Sequence, residues 1–118
     1  MNLAYDDFDG VRIIKLKGRM DLEGASAIDL QFTSLTSTQR FFVVVDLTDV
    51  EFMASMGLGT LVRSAKAVRL REGNLVLFNP QPSVRQVLAS TRLDRVLPMY
   101  SSLEEARSAA RSMPPAMG

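Results

Sequence analysis

Phe41-Phe42-Val43-Val44-Val45-Asp46-Leu47 is apolar without interruption until Asp46. A run this short and this rich in β-branched residues predicts a strand. Apolar residues at successive positions, rather than alternate ones, predict burial on both faces, as in a parallel sheet covered by helices. The flanking segments supply such helices. On the N-terminal side Ala25, Ile28, Phe32 and Leu35 recur at spacings of three and four, the buried face of a helix ending near Ser37. Asp21 stands where a carboxylate can cap that helix by accepting bonds from unpaired backbone N–H groups. On the C-terminal side Thr48-Asp49-Val50-Glu51-Phe52 reads as a short loop. Leu58, Leu61, Val62, Ala65 and Val68 then mark a second amphipathic helix, stopped by Gly73.

Further out the pattern repeats. Val11 to Lys17 is a β-branched strand ended by Gly18, and Asp9-Gly10 before it is a hairpin turn signal that pairs it with Leu3 to Phe8. Asn74 to Phe78 is another buried strand. Asn79-Pro80-Gln81-Pro82 turns into a helix that tolerates Pro82 in its first turn and buries Val84, Val87 and Leu88. Val96 to Met99 predicts a short edge strand limited by Pro98. Ser102-Leu103-Glu104-Glu105 matches a capping box, and Leu103, Ala106 and Ala110 give a last helix its inner side. The order β-β-α-β-α-β-α-(β)-α predicts a single α/β domain with a mixed sheet, antiparallel at its first hairpin. Residues 1–112 form that domain, and 113–118 form a frayed tail.

Composition narrows the function. The 118 residues fit one compact domain, and a net charge of +1 gives no reason to expect nucleic acid as the partner. The chain has neither Cys nor His, which removes thiol nucleophiles, imidazole bases and the usual zinc ligand sets. Met1 to Asp7 lacks the basic start and apolar run of a signal peptide, and no apolar stretch approaches the ~18 residues of a membrane span. The expectation is a cytoplasmic domain that does not insert into membranes. Asp46, Asp49 and Glu51 read as strand-end and loop polar residues rather than a metal site. Gly57-Leu58-Gly59 lacks the third glycine of a nucleotide loop, since Val62 takes that place. The residues form no catalytic constellation and require no cofactor. Arg63, Lys66, Arg69 and Arg71 read as a solvated face complementing the carbonyl end of a helix, with Arg63 and Lys66 also suited to docking.

The informative stretch follows the central strand: Phe52-Met53-Ala54-Ser55-Met56-Gly57-Leu58-Gly59. Ser55 falls where the second helix begins, as an N-cap or as a functional hydroxyl. Gly57 and Gly59 weaken a helix by roughly 1 kcal/mol each relative to Ala, which suggests close backbone approach by something.

Here the chain resembles the STAS domains of anti-sigma-factor antagonists. That family shows a strand ending in Asp-Leu, then Phe-Met-Asp-Ser-Ser-Gly-Leu-Gly. Gly18-Arg19-Met20-Asp21 resembles its Gly-x-Leu-Asp element, and Gly73-Asn74-Leu75-Val76-Leu77 its Gly-Gly-x-Leu-x-Leu strand. Pro82, Val84, Leu88, Leu93 and Val96-Leu97 resemble its third helix and closing segment. The resemblance spans roughly residues 3 to 110. It implies a STAS-type fold and a non-enzymatic, partner-switching regulator of transcription. An anti-sigma factor that is also a GHKL-type serine kinase would bind the chain and phosphorylate Ser55. A PP2C-type phosphatase would reverse the modification. Partner contacts are expected from Met20, Asp21, Met53, Ala54, Ser55, Met56, Gly57, Arg63 and Lys66, on a monomer or weak dimer. Ala54 replaces the family's acidic residue and Met56 its second serine. Those departures favour the alternative of a non-phosphorylated STAS scaffold or subunit, stressosome-like or transporter-associated.

Overall fold

The structure, a computed structural model, describes residues 1–37 and 42–112. Its elements are β1 (Asn2–Phe8), β2 (Val11–Met20), α1 (Leu22–Ser37), β3 (Phe42–Met53), α2 (Ser55–Leu70), β4 (Asn74–Phe78), α3 (Pro82–Ser90), a 3₁₀ turn (Leu93–Arg95), β5 (Met99–Tyr100) and α4 (Leu103–Ser112). Phe41 and the tail 113–118, both singled out in the sequence, lie outside the described residues.

One five-stranded sheet runs in the order β1-β2-β3-β4-β5. β1 and β2 are antiparallel, joined at Asp9-Gly10 with φ of 54° and 79°, the left-handed pair that a two-residue hairpin turn needs. The remaining neighbours are parallel and linked through helices. Val43, Val44 and Val45 of β3 are all fully buried, as their unbroken apolar run predicts. Val43 and Val45 face Ala25, Ile28, Phe32, Leu61, Ala65, Val68, Val84 and Leu88 of α1, α2 and α3. Val44 faces the other way, with Val11 and Val76 under Ala106 and Ala110 of α4. Helices therefore cover both faces of a mixed sheet.

Leu103, expected on the inner side of α4, is 37% exposed, and four element boundaries differ from the sequence expectation. β3 does not give way to a loop at Thr48 but continues to Met53. Among the described residues only β2 pairs with it there, since β4 stops at the Asp46↔Phe78 pair. Between Lys15↔Asp46 and Lys17↔Asp49, and again between Gly18↔Val50 and Arg19↔Phe52, β3 carries one residue more than β2. A half-paired, bulged strand is polar and irregular and so resembles a loop. Asp46 fixes the first bulge, accepting bonds from Thr48 N–H at 2.9 Å and Thr48 Oγ1–H at 2.6 Å.

Gly18 does not end β2. With φ of +117° it sits at the second irregularity, and β2 runs on to Met20. At the end of α2 the left-handed residue is Glu72, φ 64°, rather than Gly73, whose N–H closes the helix on the Val68 carbonyl at 2.9 Å. The short edge strand is Met99–Tyr100 instead of Val96–Met99. Val96 closes the 3₁₀ turn on the Leu93 carbonyl, and Pro98 lends its own carbonyl to Leu77 N–H at 2.8 Å.

Candidate functional site

β2 and β3 end side by side at the Met20↔Met53 pair. Ala54 then donates its N–H to the Met20 carbonyl at 2.9 Å, and α2 starts at once. The N-cap is Ala54, in extended geometry, and its carbonyl accepts the first helical bond from Leu58 N–H at 3.1 Å. Ser55 is thus the first helical residue and not the cap, a correction to one of its two sequence readings. No side chain caps α2 among the described residues, and its first turn holds no acidic residue. α1 begins differently. Asp21 Oδ1 accepts from Gly24 N–H at 2.8 Å, and Glu23 lies in the first turn. Asp21 is the helix cap its position implies.

Two glycines let these helix starts pack. A Cβ on Gly57 would stand 2.6 Å from Met20 Cγ and 3.1 Å from the Met20 carbonyl oxygen, so the close approach that glycine signals comes from this chain's own Met20. A Cβ on Gly24 would stand 2.0 Å from the Arg19 carbonyl oxygen. Gly24 went unread in the sequence. Its signal was the same as that of Gly57, a glycine in the first turn of an amphipathic helix.

The expected contact residues separate into a floor and a rim. Met20 and Met53 are at most 4% exposed, and Gly57 is buried too. They carry the loop and, in this conformation, offer a partner no direct surface, because the sheet ends and α2 close over them. Ser55 and Met56 are exposed, and Ala54 and Asp21 are half-buried. Arg63 and Lys66 are exposed further along α2. Arg63 pairs with Asp29 of α1 at 3.5 Å and bonds Thr60 Oγ1 at the same distance. Between α1 and α2 a groove of about 230 Å³ is lined by Ala25, Ser26, Asp29, Met56, Thr60 and Arg63. Arg69, grouped with the solvated cations in the sequence, is half-buried instead and donates to the Val96 carbonyl. Burial holds its pKa below the usual guanidinium value.

On the other side of the loop the sequence reading missed Phe52 and Arg19. Phe52 is 40% exposed, and the Arg19 guanidinium lies 4.6 Å from its ring centroid while pairing with Asp21 at 3.7 Å. Exposed Phe52 in a sequence read as loop was the available signal. Along the chain Ser55 thus lies between two exposed apolar residues, Phe52 and Met56, with Arg19 over Phe52 and Arg63 two turns further along α2. Such a surface is suited to protein contact. Asp46 and Asp49, weighed in the sequence as metal ligands, are used internally: Asp46 holds Thr48, and Asp49 pairs with Lys15 at 3.4 Å. Among the described residues no helix is long and apolar enough to cross a membrane.

The chain is similar to known proteins in both sequence and fold. A family model described as STAS domain matches residues 2–106. BtrV of Bordetella bronchiseptica, which carries a provisional anti-sigma factor antagonist name, is 29% identical over 115 residues, covering 98% of this chain and 99% of the relative. The crystal structure of an anti-sigma factor antagonist from Mycobacterium paratuberculosis superposes with a TM-score of 0.84 at 26% identity, covering 94% of each chain. The Bacillus cell fate determinant SpoIIAA in its phosphorylated form shares the fold, with a TM-score of 0.66 at 19% identity over 91% of this chain and 97% of that one.

Proposed function

The chain belongs to the STAS domain family, and on that premise we propose that it is an anti-sigma-factor antagonist-like regulator that binds an anti-sigma factor through the surface around Ser55 and is released by phosphorylation there. The observation that carries this reading is the placement of Ser55: an exposed hydroxyl on the first residue of a helix that no side chain caps among the described residues. Unpaired N–H groups and the positive end of the helix dipole favour an anion at this position. A phosphate on Ser55 is therefore compatible with the fold.

The partner would be a GHKL-type serine kinase. It would transfer the γ-phosphoryl group of ATP to Ser55 Oγ. A new Oγ–P bond forms, the bond to ADP breaks, and the hydroxyl proton passes to a base on the kinase. A PP2C-type phosphatase would return the phosphoryl group to water. The modification brings about 1.5–2 negative charges near neutral pH. Between Phe52 and Met56, which suit a dry contact, that charge would have to be desolvated, so it opposes binding. The switch needs no refolding, and the chain acts by binding rather than by catalysis. Asp21, Ala54, Met56, Arg63 and Lys66 complete the rim, while Met20, Met53 and Gly57 hold it in shape.

The second reading keeps the same docking surface without phosphate, as a scaffold in a stressosome-like or transporter-associated assembly. It draws on Ala54 and Met56, which place no acid and no second hydroxyl beside Ser55. Mass spectrometry of the protein from its native cells, growing and stressed, separates the two. A phosphate at Ser55 in one condition supports switching; none in any condition supports the scaffold.

A further inference from the structure

The side chain of Arg63 runs back along α2 toward the start of the helix. Its Nη1 lies 3.3 Å from where a Cβ on Gly59 would stand, while Nη2 lies 3.5 Å from Asp29 Oδ1. Ser55, Gly59 and Arg63 are spaced by four and share one side of the helix. Neighbours at that spacing have Cβ positions about 5–6 Å apart. A guanidinium over Gly59 is therefore within reach of a phosphate ester extending from Ser55 Oγ. Glycine at 59 keeps the path clear, since a side chain there would enter it. The present pairing is loose. Its 3.5 Å exceeds the roughly 2.7–2.9 Å of a good charge-assisted bond, and the two side chains are 65% and 46% exposed.

We infer that Arg63 is a movable arm, held by Asp29 while Ser55 is unmodified and transferred to the phosphate once Ser55 is phosphorylated. The inference rests on the reading of Ser55 given above. No covalent bond changes. One ion pair is exchanged for another, and a phosphate approaching two negative charges competes well against a single carboxylate. The transfer leaves Asp29 without its cation at the rim of the groove between α1 and α2. Phosphorylation would thus alter a surface on α1 as well as the charge at residue 55. Other charged groups flank the loop: Arg19, engaged with Asp21 and Phe52, Glu23 in the first turn of α1, and Lys66 beyond Arg63.

The test uses the full chain with phosphoserine incorporated at position 55 during translation, so that no kinase is needed. The phosphate is titrated by phosphorus NMR in otherwise unchanged protein and in Arg63→Gln, Arg63→Lys, Lys66→Gln and Arg19→Gln. The helix start acts alike on all of them. Loss of the arm should raise the second phosphate pKa by about half a unit in Arg63→Gln. Arg63→Lys should restore part of the shift, and Lys66→Gln and Arg19→Gln should move it much less. An Arg63→Gln titration that overlays the unchanged protein overturns the arm, as does a shift of that size that follows Arg19 or Lys66 instead. Such a failure leaves partner switching standing, because the measurement involves no partner. Conversely, a partner indifferent to charge at position 55 removes switching without touching this result.

Discussion

Met20 and Gly57 meet where β2 ends and α2 begins, with Met20 Cγ only 2.6 Å from the position a Cβ on Gly57 would occupy. Met20 is fully buried, and its carbonyl holds Ala54. These two contacts of one residue hold the start of α2 against the end of β2.

The three glycines near the site should respond differently to alanine. Gly57→Ala forces a buried Met20 aside and should destabilise by about 1–3 kcal/mol. Gly24→Ala should cost more, because the atom in the way, 2.0 Å off, is the backbone oxygen of Arg19. Gly59→Ala meets only the mobile end of Arg63 and should stabilise by roughly 0.5–1 kcal/mol. Urea unfolding of the three variants gives the order. A Gly57→Ala protein as stable as the parent would remove the packing account.

The sequence made the central strand and the covering helices legible because both are buried by periodic apolar residues, such as Val43 to Val45 or Ile28 and Phe32. It did not reveal where β3 ends. Among the described residues Thr48 to Phe52 pairs on one side only and bulges twice, so its residues are those of a loop. The site was legible as a position, not as a set of contacts. Ser55 was found at the helix start, yet which residue caps that helix depends on backbone angles at Ala54 that no side chain announces. Met20 and Met53 lie beside the loop in any reading. Only the packing of Gly57 on Met20, and the burial of Met53, show that they form its floor.

Asp21→Ala should lower stability by about 1 kcal/mol, the usual loss for a helix cap, while Asp21→Asn should recover most of it. Thermal unfolding measures the pair. A partner affinity that follows the same order would assign Asp21 to scaffolding, whereas loss of affinity in the stable Asn variant would assign it to contact.

Away from the site, Arg12 bonds both carboxylate oxygens of Asp7 at 2.7 and 2.8 Å and donates to the Leu35 carbonyl at 2.9 Å, tying the hairpin to α1. The Arg12 hydrogen bonds hold the Asp7 carboxyl below its ordinary value of 3.8, outweighing a slight desolvation that pushes the other way. A depressed carboxylate contributes stability above its unfolded pKa and loses it as pH falls through the folded one. Asp7 is half exposed, so the contribution is at most about 1 kcal/mol. Asp7→Asn should therefore lower the unfolding midpoint at pH 7 and converge with the parent as pH falls below the ordinary carboxylate range. A gap independent of pH would assign the effect to packing.

On the proposed function, charge on Ser55 decides binding. The direct measurement is calorimetric titration of the cognate anti-sigma factor, isolated from source cells with the unmodified chain as bait. The chain is tested unmodified, as Ser55→Ala, and with phosphoserine at 55. A phosphate taken into a dry contact is costly to desolvate even when a cation of the same chain pairs with it, so the phosphorylated chain should bind at least about a hundredfold more weakly. Ser55→Ala should stay close to the unmodified chain. Equal affinity of the phosphorylated and unmodified chains would contradict the account.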